Sequence, residues 1–369
     1  MDGLAWDVIG WAMAVAVVLW VAIPAWWWWG LRRVPVRSPR DPRGVDGELP
    51  ALALVVAARD EAGTPADAAA LARAVRSWRA LEYPNLEIVV VDDRSSDATA
   101  AVLAGAFEGD PRARVVRADE PPAGWLGKVH ALAVGAAATK APWLLFTDAD
   151  VVLHPAAARV ALAWAARDGL DHVAYVPRFV AHGPWLRGFV AAFTLLLTLL
   201  TRPWLARDPR SRHALGIGAF GLYRRAALER AGGLAAVRAR PDDDLALARA
   251  LKAAGGRTAV AFAPELASVV WYPTLRAALS GLEKNAFAAV GYRPVVALLA
   301  VAALLATHVA PFLAPFVGPP SVRAAGIGVV ACALLAYAAH GRRAGHAAWL
   351  GLLHPVSVVL LVFALTRST

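Results

Sequence analysis

The alternation of apolar and polar positions divides the chain into apolar ends and a polar-punctuated middle. Val8 to Trp29 is a run of 22 residues without a charge, long enough for a helix to cross a hydrocarbon core of about 30 Å. Val295 to Val317, interrupted by His308, Val322 to Ala339, interrupted by Arg323, and Ala347 to Leu365 repeat the theme near the C-terminus. Between these ends the apolar runs are short. Leu52 to Ala57, Leu86 to Val91, Ala113 to Arg117 and Trp143 to Thr147 are rich in Val and Leu and read as strands of a parallel sheet. Thr64, Pro65 and Asp67 open a helix after the first strand, with Thr64 as N-cap and Pro65 in the first turn. Ser95 or Ser96 is expected to cap the helix after the second, and Lys128 to Thr139 forms an Ala-rich helix before the fourth. Strands alternating with helices predict right-handed crossovers and one α/β domain over residues 49–294 with a mostly parallel sheet.

Composition turns the long apolar runs into membrane segments. Hydrophobic residues make up 59% of 369, and the mean hydropathy is +0.50, too apolar for an ordinary soluble enzyme. The single cysteine, Cys332, lies in an apolar run, so neither a disulfide framework nor a cysteine-based zinc site is expected. The formal charge of +10 includes Arg32, Arg33, Arg37, Arg40 and Arg43, immediately after the aromatic belt Trp26 to Trp29. That placement indicates a juxtamembrane basic cluster over residues 32–48 facing the cytoplasm, and no nucleic-acid partner. A cleavable signal would need a basic start, whereas Asp2 and Asp7 flank the beginning of the run. Residues 1–31 are therefore expected to be an anchor, with 295–369 adding three spans. Arg342 and Arg343 place the last loop in the cytoplasm as well, giving a multi-pass protein of the cell membrane with both termini outside. His308 and His354 are expected to pack inside this bundle near Pro311 and Pro355. Trp185 to Ala206 fits neither class: its 14-residue charge-free core, Gly188 to Thr201, is short for a span, and an interfacial helix is expected.

Acidic clusters follow three of the strands: Arg59-Asp60-Glu61, Asp92-Asp93-Arg94 and Asp148-Ala149-Asp150. Ligands of open parallel sheets bind beyond the carboxyl ends of the strands, so these carboxylates should converge on one crevice. Like charges brought together raise one another's pKa. A divalent cation relieves this, and Asp148 and Asp150 have the spacing to present oxygens to Mg²⁺ or Mn²⁺.

These pieces resemble family 2 glycosyltransferases of the GT-A fold. The matching strings are Val55 to Glu61, Val91 to Asp97 and Phe146 to Asp150. Gly124-Trp125-Leu126-Gly127-Lys128 more narrowly resembles hopene-associated and carotenoid-type enzymes, with ceramide glucosyltransferase-like enzymes as wider relatives. The resemblance implies a nucleotide-sugar donor, a UDP-sugar by expectation. Ala58, Arg59, Asp60, Glu61, Asp92 and Asp93 would surround its nucleoside, and Asp148 and Asp150 would hold the metal on its diphosphate. Lys128, at a glycine turn opening a helix, would face phosphate, and Arg276 or Lys284 would neutralise the diphosphate from another side. Gly216 to Gly221 would line the acceptor side. Asp242-Asp243-Asp244-Leu245-Ala246 resembles the family's acidic pair before a helix, which makes Asp244 the general base, or Asp243 if the register shifts by one. The Gln-x-x-Arg-Trp string of processive members does not occur, which favours transfer of a single sugar to a membrane lipid. The rivals are a processive polysaccharide synthase, a polyprenyl-phosphate glycosyltransferase, a catalytically silent nucleotide-sugar-binding scaffold and, least of all, a transporter.

Overall fold

The structure is a computed structural model that describes residues 3–42, 48–289 and 293–368. Arg43 and the side chain of Lys284 lie outside the described residues. Two compact units emerge, one of residues 33–178 and 201–269, the other of 1–32, 179–200 and 270–369.

The first unit is built on seven strands: β1 Leu52–Ala58, β2 Leu86–Asp92, β3 Ala113–Arg117, β4 Trp143–Asp148, β6 His172–Val176, β8 Gly221–Arg224 and β9 Thr258–Phe262. Their spatial order is β3-β2-β1-β4-β8-β6-β9. The pairs β1–β2, β2–β3, β1–β4 and β6–β9 are parallel, and only β8 runs against its neighbours β4 and β6. The chain therefore builds outward from β1 to β3 and then returns to place β4 on the other flank of β1. Register decides what happens at this switch point: Ala58 pairs with Asp92, and Ala57 pairs with Asp148. The loops after β1, β2 and β4 thus begin at the same level on one edge. A smaller sheet joins β5 Val152–Leu153, β10 Ala267–Val269 and β7 Arg178–Phe179.

Helices α2 Pro65–Arg79, α3 Thr99–Phe107, α4 Gly127–Ala137, α5 Ala157–Asp168, α7 Arg225–Arg230 and α8 Asp243–Ala253 cover the main sheet. Coverage on both faces explains why β1 and β2 read as continuous apolar runs rather than alternating ones. Val129 and Leu132 of α4 join Val55, Val89 and Val91 in one core. Trp78 of α2 is fully buried, and its indole N–H donates to Val151 O at 3.0 Å.

Two local expectations are corrected. Thr64 caps α2 in a reciprocal box with Asp67 as expected, but neither Ser95 nor Ser96 caps α3, whose N-cap is Ala98 without a side-chain bond. The serines are drawn to partners in a neighbouring loop instead: Ser96 donates to Asp60, and Ser95 Oγ accepts from Asp60 N. The basic segment is also more than a linker. Val36 forms a parallel bridge with Phe262 at the edge of β9, and the Arg37 guanidinium stacks on Trp164 at 4.3 Å.

The second unit is helical, with α1 Gly3–Leu31, α6 Pro184–Thr201, α9 Leu275–Ala289, α10 Pro294–Leu304, α11 Ala310–Leu313, α12 Pro320–Ala344 and α13 His354–Ser368. Among the described residues five helical stretches, Met13–Leu31, Pro184–Leu205, Pro294–Phe316, Pro320–Ala344 and Ala348–Ser368, are long and apolar enough to cross a membrane. Inside this unit Leu186, Phe189 and Val190 of α6 pack with Ala278 of α9 and Leu360 and Leu361 of α13. Trp27 of α1 donates to Thr198 Oγ1 of α6 at 3.1 Å. α9, expected in the catalytic domain, groups with these helices.

One half-buried cation fastens the chain where it re-enters the sheet unit after α6. Lys252 of α8 donates to the carbonyls of Leu205, Ala206 and His213 at 3.0, 2.6 and 2.7 Å. Lys252→Met keeps the stem but strands three acceptors. A loss on the order of 2–3 kcal/mol is expected, measurable as a lowered thermal midpoint of the purified full chain.

Candidate active site

The carboxyl-edge loops enclose a pocket of about 380 Å³ lined by Ala58, Arg59 and Glu61 after β1, Asp93 after β2, Asp148, Ala149 and Asp150 at β4, and Gly127 and Lys128 at the start of α4. No side chain caps α4, so its first N–H groups remain available to an anionic ligand. Glycine at 127 is required by proximity, because a Cβ there would lie 2.6 Å from Asp93 Oδ2.

Burial and charge crowding together govern the electrostatics. Burial first, then Asp150 and Asp148, push Glu61 up to about 7, and burial followed by Asp148 pushes Asp150 up to about 6. Cations offset part of this. Lys128 Nζ lies 2.7 Å from Asp148 Oδ1 and 4.0 Å from Asp243 Oδ1. Burial alone would lower the Lys128 ammonium, but Asp148, Asp243 and Asp244 outweigh it and hold its pKa above the usual value. Asp93, only 2% exposed, pairs with Arg94 at 2.9 Å and with Arg59 at 3.8 Å. Arg94 also pairs with Glu120.

Not every expected residue lines the pocket. Asp60, in a left-handed conformation with φ 53°, directs Oδ1 to the N–H and hydroxyl of Ser96 at 2.8 and 3.1 Å. Asp92 is buried and accepts from Ser95 N at 3.1 Å. Both carboxylates set loop shape and stand outside the lining. Arg276 is exposed on α9 of the helical unit.

A narrower crevice adjoins the pocket and shares Lys128 and Asp148 with it. Its other walls include Ile217, Gly218, Tyr223, Asp243 and Asp244. Asp242 is excluded, because it forms a paired contact with Arg240 at 2.8 Å through both oxygens. Asp244 accepts from Gly218 N and Leu245 N, each at 2.7 Å. Burial, then Asp243, raises its pKa to about 6 despite Lys128. Burial raises Asp243 as well.

Sequence reasoning missed Ala57, Ala149 and Tyr223 as lining residues. Apolar and small residues at such positions carry no local signal. The glycine spacing at 216–221 and 124–127 was the one cue that backbone approaches closely there.

A mostly parallel sheet with these carboxylates at its switch point defines a glycosyltransferase-type α/β protein of the GT-A class. The family described as "Glycosyltransferase like family 2" matches residues 50–291, and the chain belongs to that family. It is 32% identical over 186 residues to the succinoglycan biosynthesis protein ExoO of Rhizobium meliloti (strain 1021), covering 48% of each protein. The chain thus spans about half the length of that curated relative. It also resembles in fold the mannosyltransferase PcManGT from Pyrobaculum calidifontis, solved in complex with GDP-Man and Mn²⁺. That likeness has a TM-score of 0.55 and 17% identity, and covers 97% of this chain and 99% of that one.

The close approach at Gly218 gives a test of the shared wall. A Cβ there would lie 2.6 Å from Asp148 Oδ2, so Gly218→Ala must displace either the loop or the carboxylate. Sugar transfer is expected to fall at least about tenfold in kcat/KM, equivalent to ~1.4 kcal/mol, in a protein that still unfolds cooperatively in a thermal melt.

Proposed function

We propose that the protein is an inverting glycosyltransferase that moves a single sugar from a nucleotide diphosphate sugar, a UDP-sugar by preference, to a membrane lipid hydroxyl. The observation that carries this reading is the continuity of the two cavities through Lys128 and Asp148. One cavity is suited to a nucleotide, the other holds two carboxylates with raised pKa, and the cation between them lies where a diphosphate would leave. A silent scaffold has no use for the second cavity.

In the donor pocket, Glu61 and Asp93 are placed to accept from base N–H and ribose hydroxyls, while Lys128 and the α4 N-terminus face the diphosphate. In the crevice, Asp244 is the base. Its two backbone N–H bonds orient the carboxylate, each oxygen keeps a lone pair, and a pKa of about 6 leaves it ionised yet basic at neutral pH. The acceptor O–H proton passes to Asp244 as its oxygen attacks the anomeric carbon from the face opposite the departing nucleotide. Asp244→Asn is expected to lower kcat at least about a hundredfold, leaving donor affinity unchanged and Asp243→Asn much less impaired. In the unsubstituted enzyme kcat should fall as pH drops through about 6, where Asp244 takes up a proton. Full turnover by Asp244→Asn alongside an inactive Asp243→Asn would move the role to Asp243.

Among the described residues no cluster of three or more Asp, Glu, His or Cys side chains is arranged to hold a metal unaided. Mg²⁺ or Mn²⁺ bound with a diphosphate needs only one or two carboxylates from the protein. Asp148 and Asp150 fit that requirement, since both line the donor pocket, where burial and the neighbouring Asp148 raise the Asp150 pKa and a cation would offset that cost. When bound, the cation would stabilise the charge of the leaving diphosphate. Chelator is expected to abolish transfer and added Mn²⁺ or Mg²⁺ to restore it; undiminished transfer in excess chelator would remove the metal from the reading.

Sheet continuity supports an interfacial α6, while the cytoplasmic side of residues 32–294 is inferred from the flanking arginines. β1 to β4 and β6 precede this helix, whereas β8 and β9 follow it, yet all belong to one sheet. That continuity favours a chain that leaves and returns on the same side of the bilayer, although α6 is long enough to cross. The likeness to a succinoglycan biosynthesis protein favours a second reading, sugar addition during polysaccharide assembly.

A further inference from the structure

The helical unit contains a polar relay that sugar transfer in the other unit does not use. Pro311 has no N–H, so Thr307, four residues earlier, loses the donor a regular helix would supply. The backbone opens there into a π turn, Leu305–Val309, a distortion frequent at functional sites. Trp20 of α1 donates its indole N–H to Thr307 O at 2.7 Å. The next residue, His308, places Nδ1 3.0 Å from Nε2 of His354, and His354 Nδ1 lies 2.9 Å from the Tyr337 hydroxyl. Tyr337 and His354 are fully buried.

Satisfaction of these groups decides where the protons sit. A neutral imidazole has one donor and one acceptor nitrogen. The Tyr337 hydroxyl has His354 Nδ1 as its hydrogen-bond partner. Were it to accept, its own buried hydrogen would be left without an acceptor, so it donates. His354 then donates from Nε2 to His308 Nδ1, and His308 keeps an N–H on Nε2. His308 also lines a cavity of about 110 Å³ whose walls include Ile23, Leu195, Leu199 and Ala336. A hydrogen-bond donor thus borders an otherwise largely apolar space within helices long enough to span a bilayer.

We propose that this cavity binds the oxygen-bearing end of an uncharged lipid, a long-chain hydroxyl or carbonyl compound, with His308 Nε2–H as donor. The ligand is uncharged because neither Lys nor Arg lines the space, and an anion there would have to shed its water for a single neutral donor. It is an oxygenated lipid because a hydrocarbon alone would leave that donor unmet. The proposal rests on the membrane reading of these helices and not on the identity of the sugar acceptor.

The full chain in lipid nanodiscs would be exposed to diazirine-bearing probes of equal length: hexadecan-1-ol, hexadecan-2-one and hexadecane. Mass spectrometry would then read labelling of the segments containing Ile23, Leu199 and Ala336. The alcohol and the ketone, both able to accept, are expected to label at least tenfold more efficiently than the alkane. His308→Phe should abolish that advantage, and Leu199→Trp should block labelling by filling the space, while nucleotide-sugar binding stays unchanged in both. Equal labelling by the alkane in the unsubstituted protein, which requires no variant, would overturn the proposal. So would a full alcohol and ketone advantage in folded His308→Phe.

Discussion

The carboxyl edge of the sheet gathers more negative charge than a protein would tolerate without compensation, and much of the sheet unit answers that constraint. Parallel register brings the ends of β1, β2 and β4 level, so the acidic groups after them have nowhere to separate. Lys128 against Asp148, with Arg94 and Arg59 against Asp93, supplies the nearest balance. Burial, together with the remaining repulsion, holds Glu61, Asp150 and Asp244 at about 7, 6 and 6. Because these values are raised above those of an unfolded chain, their contribution to stability is present at low pH and is lost as pH rises through about 6 to 7. A cation bound among these carboxylates would reverse that loss, coupling its binding to stability.

The second cavity depends on backbone more than on charge. Gly216 to Gly221 passes so close to α8 and β4 that side chains at 216 or 218 would collide with Asp244 O or Asp148 Oδ2. The same proximity lets Gly218 N–H fix the Asp244 carboxylate. Thr147 donates to Ala219 O at 2.7 Å, tying this loop to the end of β4. The wall between the two cavities is therefore one connected piece, in which a displaced loop moves a carboxylate.

In the helical unit the governing problem is the opposite one, isolated polar groups in apolar surroundings. Proline at 311 frees a carbonyl, a tryptophan from α1 takes it, and the adjacent histidine joins a Tyr–His–His chain. His308 and His354 do pack inside the bundle, but as hydrogen-bonded partners rather than as inert fillers beside prolines. Buried polar groups are retained at such depth only where each finds a partner.

Local pattern alone determined the strands β1 to β4, the Thr64 cap, the apolar runs and the family-like acidic strings, because each depends on residues close in sequence. Apolar runs of strand length, a capping box and an acidic pair at a strand end are legible without knowing what lies opposite. Tertiary structure decided everything that depends on register and partner. Asp60 and Asp92 look equivalent to Glu61 and Asp93 in the sequence, yet Ser95 and Ser96 turn the first pair into loop braces. Asp242 is set apart from its two neighbours by Arg240. The basic segment at 32–48 reads as a loose cluster until Arg37 meets Trp164 and Val36 meets Phe262, more than a hundred residues away. Likewise no local signal joins His308 to His354; only helix packing brings together residues 46 apart in the chain.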